Sequence, residues 1–148
     1  MKFIADTNII SELTKERRDP AVVSWLREHG DQVGICWITV AELRAGIAIM
    51  PEGKRRAALE AVVDGFVADF YQEDALELRG STAAAFARLQ EDRRDAGESQ
   101  DWPDAVIAAV AQDHGMTVAT RNTDHFPGVS VVNPWNEKAP GDRSQGAV

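Results

Sequence analysis

Short apolar runs alternate along this chain with stretches whose apolar positions recur at helical spacing. Phe3-Ile4-Ala5 is the first run, and it stops abruptly at Asp6-Thr7-Asn8. Ile9, Ile10 and Leu13 then fall at helical spacing. The pattern predicts a buried strand that carries Asp6 to its carboxyl end, with Thr7 or Asn8 capping the helix that follows. In open α/β sheets ligands bind at that edge, so Asp6 is a candidate site residue. The alternative role for Asp6 is simply to cap the helix.

The same alternation continues downstream. Lys15 to Asp19 is a charged turn, with Asp19 placed as N-cap and Pro20 as the first residue of a second helix. Val22, Val23, Trp25 and Leu26 give that helix its apolar side, and Gly30 ends it. Val33 to Ile38 predicts a second strand, apolar almost throughout, as in a parallel strand covered on both faces. Thr39-Val40-Ala41-Glu42 opens a helix carrying Leu43 and Ile47, and Met50-Pro51-Glu52-Gly53 breaks the chain. A helix is predicted from about Lys54 to Val67, and a third strand around Phe70-Tyr71. A long helix then runs from Ala75 to about Asp95, with Leu78, Ala85, Phe86 and Leu89 as core positions.

Residues 96–100 form a loop, Pro103 sits in a first helical turn, and Ala105 to Gln112 is a compact Ala/Val/Ile helix ended near Gly115. Met116 to Ala119 predicts a strand, Thr120 to Gly128 a polar loop, and Val129 to Val132 the last strand. From Lys138 onward the composition predicts a disordered tail. Strands alternating with helices indicate an α/β fold with a central, mostly parallel sheet of four to five strands flanked by helices. Right-handed crossovers then place successive strand ends on one edge. The prediction is one domain over residues 1–137.

Composition narrows the function. With 148 residues and 44% apolar side chains, the chain can bury a core without staples. No apolar run approaches the ~18 residues of a membrane span, and no signal-peptide pattern opens the sequence, so a cytoplasmic location is expected. Cys36 is the single cysteine and, between Ile35 and Trp37, reads as a buried thiol. The net charge of −8 argues against nonspecific adhesion to nucleic acid or anionic membrane. It leaves room for a nucleic-acid enzyme in which a divalent cation bridges carboxylates and phosphate.

Three more polar clusters recur at strand-to-helix points. Glu42 lies three residues after Thr39, the spacing of a capping box, and it also faces the edge that carries Asp6. Asp101-Trp102-Pro103-Asp104 precedes a helix so small and apolar that it must be buried; capping accounts for one of its acids but not both. Thr120-Arg121-Asn122-Thr123-Asp124-His125-Phe126 follows a strand, either as an ordinary turn or with Arg121, Asn122, Asp124 and His125 reaching the same edge. Carboxylates gathered in one pocket raise each other's pKa, and hard divalent cations with oxygen ligands relieve that repulsion. Zinc spacings, a Gly-rich phosphate loop and a Gly-x-Ser-x-Gly elbow are all absent from the sequence. His29 and His114 fall at helix ends, where surface or capping roles suit them. Cation-assisted hydrolysis of a phosphodiester matches an all-oxygen acidic site best.

FIADTNIISEL at 3–13, ITVAELRAGI at 38–47, DAVIAAVA at 104–111, TVATRN at 117–122 and VVNPW at 131–135 together resemble a PIN-domain ribonuclease of the VapC toxin family, near its FitB-like branch. The resemblance implies a Mg²⁺ or Mn²⁺ site built from Asp6, Glu42 and Asp104, supported by Thr7, Asn8 and Thr39. The family's fourth acidic position falls at Asn122, beside Arg121, so one metal-ligating charge is missing; Asp124 is a candidate substitute. It further implies a type II toxin–antitoxin pair, with an endoribonuclease toxin, a VapB-like antitoxin and a homodimer. Apolar faces of the helices at about 22–30 and 54–67 suit either a dimer interface or the monomer core. Arg17, Arg18, Arg44, Lys54, Arg55 and Arg56 are the available RNA backbone contacts. Three other readings compete: a catalytically weak PIN-like module that binds RNA or a partner, a phosphohydrolase with Asp6 as covalent nucleophile, and a DNA nuclease.

Overall fold

The strands are short, and their register decides where the polar residues after them meet. In the computed structural model, which describes residues 1–70 and 78–137, β1 (Phe3–Ala5) pairs in parallel with β2 (Val33–Ile35) on one side and β3 (Thr117–Ala119) on the other. β4 (Val131–Val132) adds to β3, so the order is β2-β1-β3-β4, all parallel. Ala5 is level with both Ile35 and Ala119, and the residues that follow them therefore leave the sheet at one edge.

Helices cover both faces. α1 (Thr7–Leu13), α2 (Pro20–His29), α3 (Trp37–Ala48) and α4 (Lys54–Phe70) enclose a core of Ala5, Ile9, Ile10, Trp25, Val33, Leu43, Ile47, Val63 and Ala119. α5 (Gly80–Ala96) and α6 (Trp102–His114) close the other core around Ile4, Ala85, Leu89, Ile107, Val118 and Phe126. α6 is buried at every position from Ala105 to Ala111, and its small side chains allow close approach to α5 and the sheet. Its end is set by Gly115, whose φ of 63° is left-handed and favours glycine. No helix among the described residues is long and apolar enough to cross a membrane.

Most predicted elements are present, with shifted ends. Asp19 caps α2 through its side chain, and Pro20 opens it. β2 stops at Ile35 instead of Ile38, because Cys36 turns the chain and α3 already begins at Trp37. Phe70 ends α4 and is not in a strand, while Tyr71 lies outside the described residues. The long helix starts at Gly80; Ala75 lies outside the described residues, and Leu78, 63% exposed, is not a core residue. The last strand is trimmed to Val131 and Val132. Residues 138–148, the predicted tail, also lie outside the described residues. His29 packs against the rings of Phe3 and Trp25, not at the open surface. Val22, Trp25 and Val63 are buried, so those positions on the faces considered for a dimer serve the monomer core.

Candidate active-site cleft

Asp6 is the N-cap of α1, in place of Thr7 or Asn8. Its Oδ1 accepts the Thr7 backbone N–H at 2.6 Å, which is the capping role. Its Oδ2 accepts from Asn8 Nδ2 at 2.7 Å and from the Thr120 hydroxyl at 2.8 Å. At 5% exposure, this carboxylate is held nearly out of solvent by donors from β1's own loop and from the end of β3. Capping and site-building are both done by one side chain.

Glu42 reaches the same edge from the second turn of α3, where Oε2 accepts the Thr7 hydroxyl at 2.6 Å. The expected capping box with Thr39 does not form. Thr39 sits inside the helix, fully buried, and its hydroxyl makes only a long 3.5 Å bond to the Ala5 carbonyl. Thr39 therefore supports the sheet edge from behind. Burial raises the Glu42 pKa; Thr7 opposes it, and the charges of Asp6, Asp104 and Asp101 push it further up.

Asp104 stands in the first turn of α6, with Oδ2 at 2.9 Å from His125 Nδ1. Its pKa is also raised, first by burial and then by the charge of Asp6, against the His125 hydrogen bond that lowers it. Asp6, Glu42, Asp101 and Asp104 line one cleft of about 370 Å³, together with Thr7, Asn8, Arg121, Asn122 and His125. Asp124 is exposed and lines an adjoining cleft with Arg93, Asp101, Asp104 and His125. The backbone N–H of Asn122 donates to Thr120 Oγ1 at 3.0 Å, and that of Arg121 to Asn8 Oδ1 at 3.2 Å. The Arg121 guanidinium stacks 5.2 Å from the Trp135 ring.

The sequence pattern singled out as site residues neither Glu12, on the cleft lining, nor Thr120, buried behind Asp6. Glu12 is only 3% exposed; burial works against its charge, but the Lys15 ammonium, the Asp19 N–H and Arg121 together hold its pKa below the usual range. A signal existed, because Glu12 lies four residues after Asn8 on the same helical face. Thr120 had no local signal for a bond to Asp6.

Among the described residues, no three His, Cys, Asp or Glu side chains are arranged as a ready metal cage. Asp6, Glu42 and Asp104 share a cleft without converging on one point. Their chemistry still fits a hard cation, since the donors are carboxylate oxygens, and burial together with neighbouring acids raises the pKa of Glu42 and of Asp104. Mg²⁺ dehydrates reluctantly and keeps several waters, so an open acidic cleft suits it better than a closed cage.

The chain matches the PIN domain over residues 3–131. It is 38% identical to the plasmid stability protein StbB of Pseudomonas syringae, covering 90% of this chain and 98% of that one. Identity to the VapC ribonuclease Y4jK of Sinorhizobium fredii is 37%, covering 90% of this chain and 97% of the relative. Toxin FitB of Neisseria gonorrhoeae is 34% identical, covering 91% of this chain and 99% of the relative. The crystal structure of FitAcB from Neisseria gonorrhoeae superposes with a TM-score of 0.81 at 34% identity, covering 90% of this chain and 99% of that one. With the parallel sheet and the acidic edge already described, these matches show that the chain belongs to the PIN-domain family, in its VapC- and FitB-like branch.

Proposed function

We propose that this protein is a Mg²⁺- or Mn²⁺-dependent endoribonuclease acting as the toxin of a type II toxin–antitoxin pair. The observation that carries the reading is the arrival of Asp6, Glu42 and Asp104, from three separate elements, in one cleft at the carboxyl edge of the sheet. Similarity to a VapC ribonuclease and to Toxin FitB supports it.

Asp6, Glu42 and Asp104 are the residues that would hold the cation. When bound, it supplies a lowered pKa for attacking water and positive charge for the transition state of phosphodiester hydrolysis. The protein's own part is preorganisation. Asn8 and Thr120 hold the Asp6 carboxylate, Thr7 orients Glu42, and His125 orients Asp104. Arg121, held over Trp135, offers a cation at the cleft for the substrate phosphate. A VapB-like antitoxin, a homodimer and a cytoplasmic site of action belong to the same reading.

Incubating the purified protein with total cellular RNA tests it. Cleavage is expected with Mg²⁺ or Mn²⁺, none with EDTA, and Asp6→Ala and Asp104→Asn should each lose about two orders of magnitude or more in rate, as loss of a metal ligand or its orientation does. Cleavage that survives EDTA, or variants that cut like wild type, would overturn it. Asn122 favours one competing reading, a module that binds RNA without cutting, because the family's fourth acidic position here holds an amide. RNA binding with no turnover in either metal would establish that alternative.

A further inference from the structure

Four basic side chains of this acidic chain line one groove beside the cleft. A groove of about 760 Å³ runs between the turn after α1 and the start of α4. Its rim carries Lys15, Arg18, Lys54 and Arg55, its floor includes Leu59 and Val62, and Glu16 is the one acid on its lining. Lys15 lines both this groove and the carboxylate cleft, so the two are joined at that side chain. Lys15 also bonds Glu12 at 2.6 Å in the cleft wall, which fixes its ammonium at the junction.

Arg44 and Arg56, the basic residues of α3 and α4 outside this groove, are already engaged. Arg44 pairs with Asp64 at 2.6 Å, and Arg56 pairs with Glu60 at 3.0 Å; both line a separate groove. Arg18, Lys54 and Arg55, by contrast, are exposed, and among the described residues none of them forms an ion pair or side-chain hydrogen bond. α4 also begins here with no acidic side chain in its first turn, so its N-terminal N–H groups add positive potential.

We propose that this groove is the track for the phosphodiester backbone of the RNA strand whose scissile bond lies in the cleft. The proposal rests on the nuclease reading above and adds the path of the substrate. A chain of net charge −8 with an acidic cleft repels a polyanion, so approach needs cations concentrated beside the cleft. Arg18, Lys54 and Arg55 supply them without breaking an ion pair, whereas Arg44 and Arg56 would first have to release a carboxylate. Continuity through Lys15 favours a strand that occupies cleft and groove together over an acidic peptide confined to the groove.

The test measures binding in EDTA, where the RNA stays intact. A labelled single-stranded RNA long enough to fill cleft and groove, and a dinucleotide, are titrated by fluorescence anisotropy at several salt concentrations. Wild type is compared with the triple variant Arg18→Gln, Lys54→Gln, Arg55→Gln and with the double variant Arg44→Gln, Arg56→Gln, each checked for folding by circular dichroism. The triple variant should bind the long RNA about tenfold or more weaker and show a salt slope smaller by about 2, as expected for three lost contacts to a single strand. It should also lose the affinity that wild type gains when the dinucleotide is lengthened, while the double variant matches wild type.

Wild-type affinity and slope in the triple variant, or an equal loss in the double variant, would refute the track. So would retained RNA binding with lost capture of an acidic amphipathic peptide. Cleavage is scored separately with Mg²⁺. A wild type that cuts RNA while the triple variant binds normally refutes the track alone; a wild type that binds through the track but never cuts refutes the nuclease reading alone.

Discussion

The Thr120 hydroxyl donates a 2.8 Å hydrogen bond to Asp6 Oδ2 across a separation of 114 residues. The bond exists because Ala5 and Ala119 are level in neighbouring parallel strands, so the residues after them emerge side by side. The same hydroxyl accepts the Asn122 N–H at 3.0 Å and lies 3.2 Å from Asn8 Nδ2. Thr120 is fully buried, and one side chain therefore ties the first acid of the site to the loop that ends it.

Thr120→Val keeps the shape and deletes this hub. It leaves a nearly buried carboxylate short of a donor, which should cost about 1–3 kcal/mol in urea denaturation. Thr120→Ser should recover most of it. If valine matched wild type in stability, the hydrogen bond would be geometrically present but energetically idle.

Glu42 and Asp104 make folding sensitive to pH in a defined sense. Burial and neighbouring acids raise both pKa values in the folded protein. The folded state therefore binds their protons more readily than the unfolded chain does. The stabilisation is complete below the ordinary carboxylate pKa of about 4 and is lost as pH rises through the raised folded values. Glu42→Gln should accordingly raise Tm at neutral pH in EDTA and leave it little changed in acid. A lower Tm for the variant at neutral pH would contradict a cost of burying the Glu42 charge beside other acids.

Asn122 and Asp124 are separated by their surroundings. Asn122 lines the carboxylate cleft, whereas Asp124 lines the adjoining one. Calorimetric titration with Mn²⁺ should find Asp124→Ala close to wild type, Asn122→Ala weaker and Asn122→Asp tighter. Weaker binding by Asp124→Ala alone would restore it as the stand-in for the missing acid.

Gly115 tests a purely local requirement. Its φ is 63°, and an added Cβ would meet no atom within 4 Å. Gly115→Ala should then cost about 1–2 kcal/mol from backbone strain alone, measured by chemical denaturation. A neutral substitution would mean that the helix end shifts to avoid the strain.

Much of this was written locally. Phe3-Ile4-Ala5 followed by Asp6, Asp19 before Pro20, Asp104 in the first turn of an all-buried helix, and Gly115 at its end were legible because each depends on neighbours within a turn. The boundary at Cys36 was not, since Ile35-Cys36-Trp37-Ile38 is apolar throughout and such a run carries no period to separate strand from helix. Starting α3 two residues before Thr39 displaced the expected capping box and freed Glu42 to accept from Thr7 instead.

The chain alone determined that acids stand just after the first strand and in the early turns of two helices, because hydrophobic pattern and capping chemistry act over a few positions. Only the assembled sheet decided their partners. Asp6 with Thr120, Glu42 with Thr7, Asp104 with His125, and Lys15 between cleft and groove all depend on strand register and helix crossing, which no local stretch of sequence contains.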